Sequence, residues 1–592
     1  MEAVSAVASS SGLRWLDPGE VRVGLGCMRL STGDTRDSSL ALATITAAVA
    51  AGITVFDTAH AYGRDATEAG HNERLLAQAL RASGAERPAR IVTKCGMTRA
   101  GGGWMPDGRA GALLSDCEAS LAALGGLPID LMLIHAPDQR TPWRTSVRAL
   151  ARMLDEGMVR HVGVSNVNRQ QLDDARDIVD VTAIEIALSV LDEAAVRSGL
   201  VEHCEKAGIA VIAHSPLGGP RRARTLARHP ALRDVALRHD STTAEIALAW
   251  LLDLSPTVIP IPGARRPATA QSAERAAHLQ LDADDRAILD RGFPRHAPAS
   301  VRRSTATRDG EVVMVMGIPG SGKSRRAAEY VARGYRRLNR DERGGSLRDL
   351  AAVLHHEMTA GAREFVLDNT YLTRASRSYV VDTAGVHGLA VRCVWMDTPL
   401  AQAQVNIVER LLDRFGALPS PEDLRLLSRR EPGILTPTSQ MRALREVEPP
   451  SPDEGFAAVE CVRFERTPAT DAGRPGVFVA AGARARPDWD GAFGACDHRV
   501  PHLVFEWNGD GDRASLDATI AVLAAQVSGP VDGGLCPHGG GPPRCWCRPP
   551  LPGLLLALSR GLGVDPAQST LIGTGPAHRT LATTLGARYI EA

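Results

Sequence analysis

Lysine is nearly missing from this sequence. Of 592 residues only Lys94, Lys206 and Lys323 are lysine, so almost all positive charge is arginine. In such a background a lysine draws attention as a compact ammonium, and two of the three, Lys94 and Lys323, fall inside motifs. Net charge is missing altogether, with 68 Lys+Arg against 68 Asp+Glu. That excludes a globally basic nucleic-acid binder and leaves only a local basic channel. No run of about 18 apolar residues occurs, so no membrane span is expected. The start, Met1 to Gly12, has neither a basic n-region nor an apolar h-region, so it does not read as a secretory signal. Seven cysteines stand singly, which excludes a disulfide framework and fits a reducing cytoplasm. Short repeats of solenoid type are also absent.

What is present reads as ordinary globular protein, 44% hydrophobic and 23% charged. The length predicts about three or four domains. In the first half, short apolar runs alternate with amphipathic helical stretches. The runs are Ile53–Phe56, Ile91–Thr93, Leu131–Ile134, Val162–Val164, Ala183–Ile186, Ile209–Ala213 and Val258–Ile261. Repeated βα units over this length predict a (β/α)8 TIM barrel across 15–295. An Arg-rich polar stretch, Arg295 to Gly310, reads as a linker. A second α/β series follows over 310–466, and a third over 467–592.

Three barrel runs end in chemistry. Phe56-Asp57-Thr-Ala-His-Ala-Tyr62 follows one strand, Lys94 ends another, and His135 ends a third. Strand C-termini converge on one face of a barrel, so these side chains are expected to meet. Tyr62 can protonate a carbonyl oxygen if a nearby ammonium lowers its pKa, Asp57 would hold Lys94 charged, and His135 would orient the carbonyl. With Gly163-Val-Ser165-Asn166, His214-Ser215-Pro-Leu217-Gly and Ile261-Pro-Gly263-Ala-Arg265-Arg266, the region resembles the aldo-keto reductases. The resemblance implies reduction of a small aldehyde or ketone with NADPH. It implies that Ser165 and Asn166 hold the nicotinamide carboxamide. Ser215, Leu217 and Gly263 would line the cofactor, and Arg265 and Arg266 would take a 2′-phosphate. Two residues depart from the family: Glu185 stands for a glutamine touching the carboxamide, and His214 for an aromatic ring stacking on the nicotinamide.

The strand Val312–Met316 runs into Gly317-Ile-Pro-Gly320-Ser321-Gly322-Lys323-Ser324, a G-x-x-x-x-G-K-S loop followed by a helical stretch. Its glycines let backbone N–H groups face the phosphates of ATP; Lys323 reaches the β/γ-phosphates and Ser324 can ligate Mg2+. Arg410 and Arg414, four apart on one helical face, form a candidate lid over the transferring phosphoryl group. Asn339-Arg340-Asp341 and Asp368-Asn369-Thr370 match segments of the 5′-hydroxyl polynucleotide kinases, which this region resembles. By that resemblance Asp341 is the general base, Asp368 and Asn369 belong to the substrate site, and Arg343 contacts a substrate phosphate. The acceptor would be a 5′-OH nucleic acid, RNA or DNA. Helix N-capping is the competing role for Asp341.

Near the end, Cys536-Pro-His538 and Cys545-Trp-Cys547 supply four soft or borderline ligands, a candidate structural Zn2+ site. With Cys-Arg-x-Pro-x-Pro-Gly553 and Leu571-Ile-Gly-Thr574, the segment resembles the zinc-loop haloacid-dehalogenase-type (HAD-like) phosphatases. In that resemblance Glu506 and Asn508 take the places of the nucleophile and the second acid. Pro549 replaces a lysine, and Thr574 and His578 replace Mg2+-binding aspartates, so a domain without hydrolysis is expected. Together the regions point to reductase plus kinase in nucleic-acid end repair. A small-molecule reductase/kinase, or a kinase gated by a non-catalytic NADPH-sensing barrel, remain alternatives.

Overall fold

The computed structural model describes residues 15–33, 35–293, 309–464, 473–541 and 543–592. Met1–Gly12 and residues 295–308 of the expected linker lie outside them. The chain divides into two compact units, Met1–Val301 and Arg302–Ala592.

The first unit is the expected barrel. Eight parallel strands follow in sequence order: β1 Gly24–Gly26, β2 Val55–Asp57, β3 Arg90–Cys95, β4 Leu131–Ile134, β5 His161–Ser165, β6 Val181–Ala187, β7 Ala210–His214 and β8 Val258–Pro260. Gly26 bridges Gly263 just beyond β8, so the sheet nearly closes on itself. The seam is tight: a Cβ on Gly26 would lie 2.8 Å from the carbonyl oxygen of Ile261, so no larger residue fits. Inward side chains such as Val55, Val92, Leu131, Leu133 and Ile212 fill the interior, together with Trp15 and Leu16 from the N-terminal approach. Helices between the strands cover the outside. They have well-marked starts: Thr242 and Glu245 form a reciprocal cap at the helix Thr243–Leu254, which is buried along most of its length.

The second unit holds two five-stranded parallel sheets. The first runs β10-β11-β9-β12-β13, with β9 Glu311–Met316, β10 Arg336–Leu338, β11 Glu364–Asp368, β12 Ala390–Asp397 and β13 Ala458–Arg463. β9 is central and opens through the glycine loop into the helix Lys323–Val331. The second sheet runs β16-β15-β14-β17-β18, with β14 Val477–Ala480, β15 His502–Trp507, β16 Val531–Cys536, β17 Thr570–Gly573 and β18 Arg588–Glu591. The strands of the first sheet have their own core clusters, and a helix beside them joins the core of the second sheet. Ile407, Val408, Leu411 and Leu412 of the helix Leu400–Phe415 pack into one apolar cluster with Phe478, Phe505 and Leu555.

This topology corrects the expected phosphatase register. The strand order reverses between β14 and β17, and a ligand crevice in such a sheet opens at that switch. Central β14 is followed by Ala481-Gly482-Ala483, whereas Glu506 and Asn508 end the neighbouring strand β15. The end of the central strand at that switch therefore carries no carboxylate, and Oε2 of Glu506, on the neighbouring strand, is buried without a hydrogen-bond partner.

Candidate functional site

The barrel strands deliver the expected group to one point. Asp57 ends β2 and Lys94 sits near the end of β3, both buried. Lys94 Nζ donates to Asp57 Oδ1, to the carbonyl oxygen of Thr58 at 3.0 Å and to Tyr62 Oη at 3.2 Å. Glu185, on β6, adds a second carboxylate: its Oε2 lies 3.1 Å from Nζ, within ion-pair range but not aligned as a hydrogen bond. Rings fix the rest. Tyr62 meets His135 edge-on at 5.8 Å between centroids, and Trp104 stands 6.1 Å from Tyr62 and 5.9 Å from His135.

Burial and charge set the protonation states. Burial opposes the Lys94 charge, but Asp57 and Glu185 outweigh it and hold the ammonium well above its ordinary pKa. Burial, then the Glu185 charge, lifts Asp57 to about 8 against the pull of Lys94. Two carboxylates around one ammonium therefore retain a proton far above the usual carboxylate range. Burial pushes Tyr62 upward, and Lys94 offsets this only in part. The sequence-based expectation of a lowered tyrosine pKa is thus corrected, because desolvation of a buried phenolate outweighs one ammonium that is itself shared by two acids. Burial and the Lys94 charge drop His135 to about 3 and His214 to about 4, so both rings are neutral.

A cavity of about 580 Å3 opens beside this group. Asp57, Tyr62, His135, Asn166, Glu185 and His214 line it. Of the expected cofactor residues, Ser215, Leu217 and Gly263 also reach it. Ser165 lies behind the wall, its Oγ accepting from Asn166 Nδ2 at 3.1 Å. Arg265 and Arg266 are exposed at the start of the helix Pro267–His278, with Arg265 donating to the Thr35 carbonyl at 3.3 Å. Asn166 and Ser215 both hold positive φ, 56° and 52°, a conformation costing on the order of 1 kcal/mol or more for non-glycine residues. Sequence reasoning missed Arg29, on the cavity wall, and Trp104. Each comes from a loop or short helix with no local pattern that would have marked it.

The glycine loop builds the second site. At φ +87°, Gly320 passes so close to the Ala403 carbonyl oxygen that a Cβ would lie 2.4 Å away. Asn406 Nδ2 donates to the Gly320 carbonyl at 2.8 Å and ties the loop to the Leu400–Phe415 helix. Lys323 Nζ folds back on the carbonyls of Gly317 and Ile318, at 3.0 and 2.9 Å. Burial lowers its pKa to about 8, with Asp368 and Asp341 pulling up and Arg410 pulling down.

A cavity of about 490 Å3 lies over the loop, lined by Lys323, Ser324, Asp341, Asp368, Asn369 and Arg410 among others. Asn339, not Asp341, caps the short helix Arg340–Arg343, accepting from the Asp341 N–H at 2.7 Å. The Asp341 carboxylate instead accepts from Arg340 Nη2 at 3.3 Å, and both residues line the cavity. Asp368 is taken up by Arg337, at 2.6 and 2.9 Å, and by Asn339 at 3.0 Å. Arg414 pairs with Glu431 and lines an adjoining cavity of about 360 Å3 with Arg430 and Asp341. Arg343 lines neither cavity.

The four late ligands also converge. Cys536, His538, Cys545 and Cys547 place all their donor atoms within 4.8 Å of one another. Sulfur–sulfur separations are 3.3 and 3.7 Å, and His538 Nδ1 lies 3.1 Å from Cys547 Sγ. Tetrahedral Zn2+ with bonds of about 2.3 Å sets sulfurs about 3.8 Å apart, so this donor set fits that ion.

Comparison with known proteins agrees with the barrel and with the P-loop domain. The aldo/keto reductase family model matches residues 22–292, and an AAA domain model matches residues 312–424. An uncharacterized oxidoreductase of Schizosaccharomyces pombe is 31% identical over 276 residues, covering 45% of this chain and 85% of that protein. An aldo-keto reductase of Strobilurus tenacellus is 29% identical over 272 residues, covering 41% and 78%. A solved thermostable aldo-keto reductase bound to the inhibitor epalrestat is 28% identical with a TM-score of 0.40, covering 46% and 94%. Through its barrel, this chain belongs to the aldo/keto reductase family, and it carries in addition a P-loop domain of AAA type.

Proposed function

We propose that the protein is a bifunctional enzyme of nucleic-acid end repair. One site is an NADPH-dependent carbonyl reductase and the other an ATP-dependent 5′-hydroxyl polynucleotide kinase, followed by a zinc-bearing, hydrolytically retired phosphatase-like domain. A bound nicotinamide supplies the hydride; the chain supplies position and proton. Tyr62 keeps its proton at any physiological pH and donates it to the carbonyl oxygen, while neutral His135 orients that oxygen. Lys94 stabilises the phenolate left behind. Asn166 and Glu185 would hold the carboxamide, His214 would lie against the nicotinamide ring, and Arg265 and Arg266 would take a 2′-phosphate.

At the second site Lys323 exchanges the loop carbonyls for the phosphates of ATP, with Ser324 as the Mg2+ ligand. Asp341 accepts the proton of the attacking hydroxyl, and Arg410 faces the charge on the transferring group. The observation carrying this reading is that Asn339, not Asp341, caps the helix, and that Asp341, paired with Arg340 at 3.3 Å, lines a cavity shared with Lys323 and Arg410. The Asn-Arg-Asp segment favours a polynucleotide acceptor.

The test is phosphate transfer from γ-labelled ATP with Mg2+ to 5′-OH RNA, 5′-OH DNA and small alcohols, with Lys323→Ala and Asp341→Ala as controls. Label on oligonucleotide, lost in both variants, supports the reading. Label only on a small alcohol replaces it with a metabolic kinase. The link to repair of the reductase fails if NADPH is oxidised by simple aldehydes and never by aldehyde-bearing nucleic acid.

A further inference from the structure

The ligand cluster touches the phosphoryl-transfer site through one residue. Trp546 sits between two of the ligands, Cys545 and Cys547, and is 2% exposed. Its indole N–H donates at 2.9 Å to the carbonyl oxygen of Leu435. Leu435 and Gly433 line the cavity over the glycine loop. They belong to the connection 431–436 between the helices Pro421–Arg430 and Pro437–Glu446. Across Gly433 stands Arg410: a Cβ there would meet its guanidinium at 3.6 Å. Leu418 packs on the cysteine cluster itself.

A second strut joins the same parts. Arg560, on the helix Gly553–Leu562, pairs with Glu409 and, at 2.7 Å, with Asp413. Those acids alternate with Arg410 and Arg414 along the Leu400–Phe415 helix. The wall of the kinase cavity from Arg410 to Leu435 is therefore held by a loop and a helix that belong with the last sheet of the chain.

We propose that the cluster is the anchor of the phosphoryl-transfer lid. Cys536, His538, Cys545 and Cys547, closed on a soft divalent ion of the Zn2+ class, fix the backbone of Trp546. Trp546 fixes the 431–436 connection, and that connection seats Arg410. Trp546 is a positioning residue: it touches neither nucleotide nor acceptor. The physical reason is entropic. The connection has no regular structure of its own, so an outside support must restrict it, and a metal-closed loop is stiff. The role of a phosphatase-like domain without its acids is then mechanical. This inference rests on the kinase reading above.

The test uses the full chain, with Trp546→Phe, which keeps the ring and loses the N–H, and Trp546→Ala. Metal per chain is measured by mass spectrometry. Tryptic cleavage at Arg429 and Arg430 is followed with and without ATP and Mg2+, and phosphate transfer is measured in parallel. Trp546→Phe is expected to keep one zinc per chain while its cleavage rises about fivefold, the loss of one hydrogen bond. Transfer should fall about ten- to hundredfold, as a displaced Arg410 would cause. Removing the ion from the wild-type chain with a thiol-directed mercurial should raise cleavage further at the same two sites. Unchanged cleavage at Arg429 and Arg430, in the metal-free chain or in Trp546→Ala, overturns the proposal. Absence of transfer by the wild-type chain to every acceptor sinks the kinase reading instead, and the cleavage readout still decides the anchor.

Discussion

Glu185 Oε2 lies 3.1 Å from Lys94 Nζ, so the buried ammonium that also pairs with Asp57 answers to two carboxylates instead of one. Burial first, and then the Glu185 charge, raises Asp57 above its unfolded value near 3.9. Such a group stabilises the fold fully at acid pH and loses that contribution as pH climbs toward about 8. Glu185→Gln removes the second charge and lets Asp57 fall. The variant should be more stable than wild type at pH 8, by roughly 1.4 kcal/mol for each unit that Asp57 drops. Below pH 4 the two should agree. The readout is the thermal transition that shifts with NADPH, followed across pH; equal slopes for both proteins would refute the two-acid account.

Tyr62 is the only phenol hydrogen-bonded to Lys94 among the described residues. Tyr62→Phe should cut aldehyde reduction by about 10²- to 10⁴-fold, the usual worth of a positioned acid. NADPH affinity should stay unchanged, since the hydroxyl serves the carbonyl and not the cofactor. His135 and His214 titrate near 3 and 4, so wild-type kcat should show no histidine limb between pH 5 and 7. A limb near pH 6.5 that vanishes in His135→Ala would show the imidazole to be charged and the assignment wrong.

Much of this was legible before any coordinates. Seven of the eight barrel strands announce themselves as apolar runs, because a strand buried on both faces needs nothing else. The eighth does not: β1 reads Gly24-Leu25-Gly26, and the same closeness at the seam that demands glycine removes the apolar signal. Asp57, Tyr62, Lys94 and His135 could be placed together because barrel geometry collects strand ends. Ser165 proves buried behind Asn166, which alternation along a strand does not announce, since it says which face a residue takes and not what stands before it. Glu506 was misread for a topological reason, as no local pattern states which strand of a sheet is central. Arg414 was expected in the lid beside Arg410, and its partner Glu431 arrives from the connection 431–436, which no local pattern announces.

Trp104 had no signal at all, yet it is 45% exposed beside both Tyr62 and His135, with the Arg99 guanidinium 4.0 Å over its ring. With Tyr62 as the proposed proton donor, an exposed ring held by three partners beside it is placed to meet the substrate. Trp104→Ala should raise KM for aromatic aldehydes about two- to tenfold, the value of one ring contact. KM for NADPH and turnover of the smallest aldehydes should not move. Equal losses for small and aromatic aldehydes would make Trp104 a support for Tyr62 rather than a substrate wall.

Lys323 gives the kinase site its own pH signature. Burial drops its pKa to about 8 while it rests on the loop carbonyls. Phosphate oxygens replace neutral carbonyls when ATP binds, which favours the ammonium and raises that pKa. Above pH 8 the free protein therefore holds this lysine partly neutral, and binding must draw a proton from solvent. At pH 8 the uptake should be roughly half a proton per ATP, and affinity should weaken as pH rises further. Calorimetry in two buffers of different ionisation enthalpy counts that proton directly. Lys323→Arg keeps its charge throughout, so its uptake should be near zero even where its affinity is lower. The same uptake in both proteins would place the proton on another group and remove Lys323 as its source.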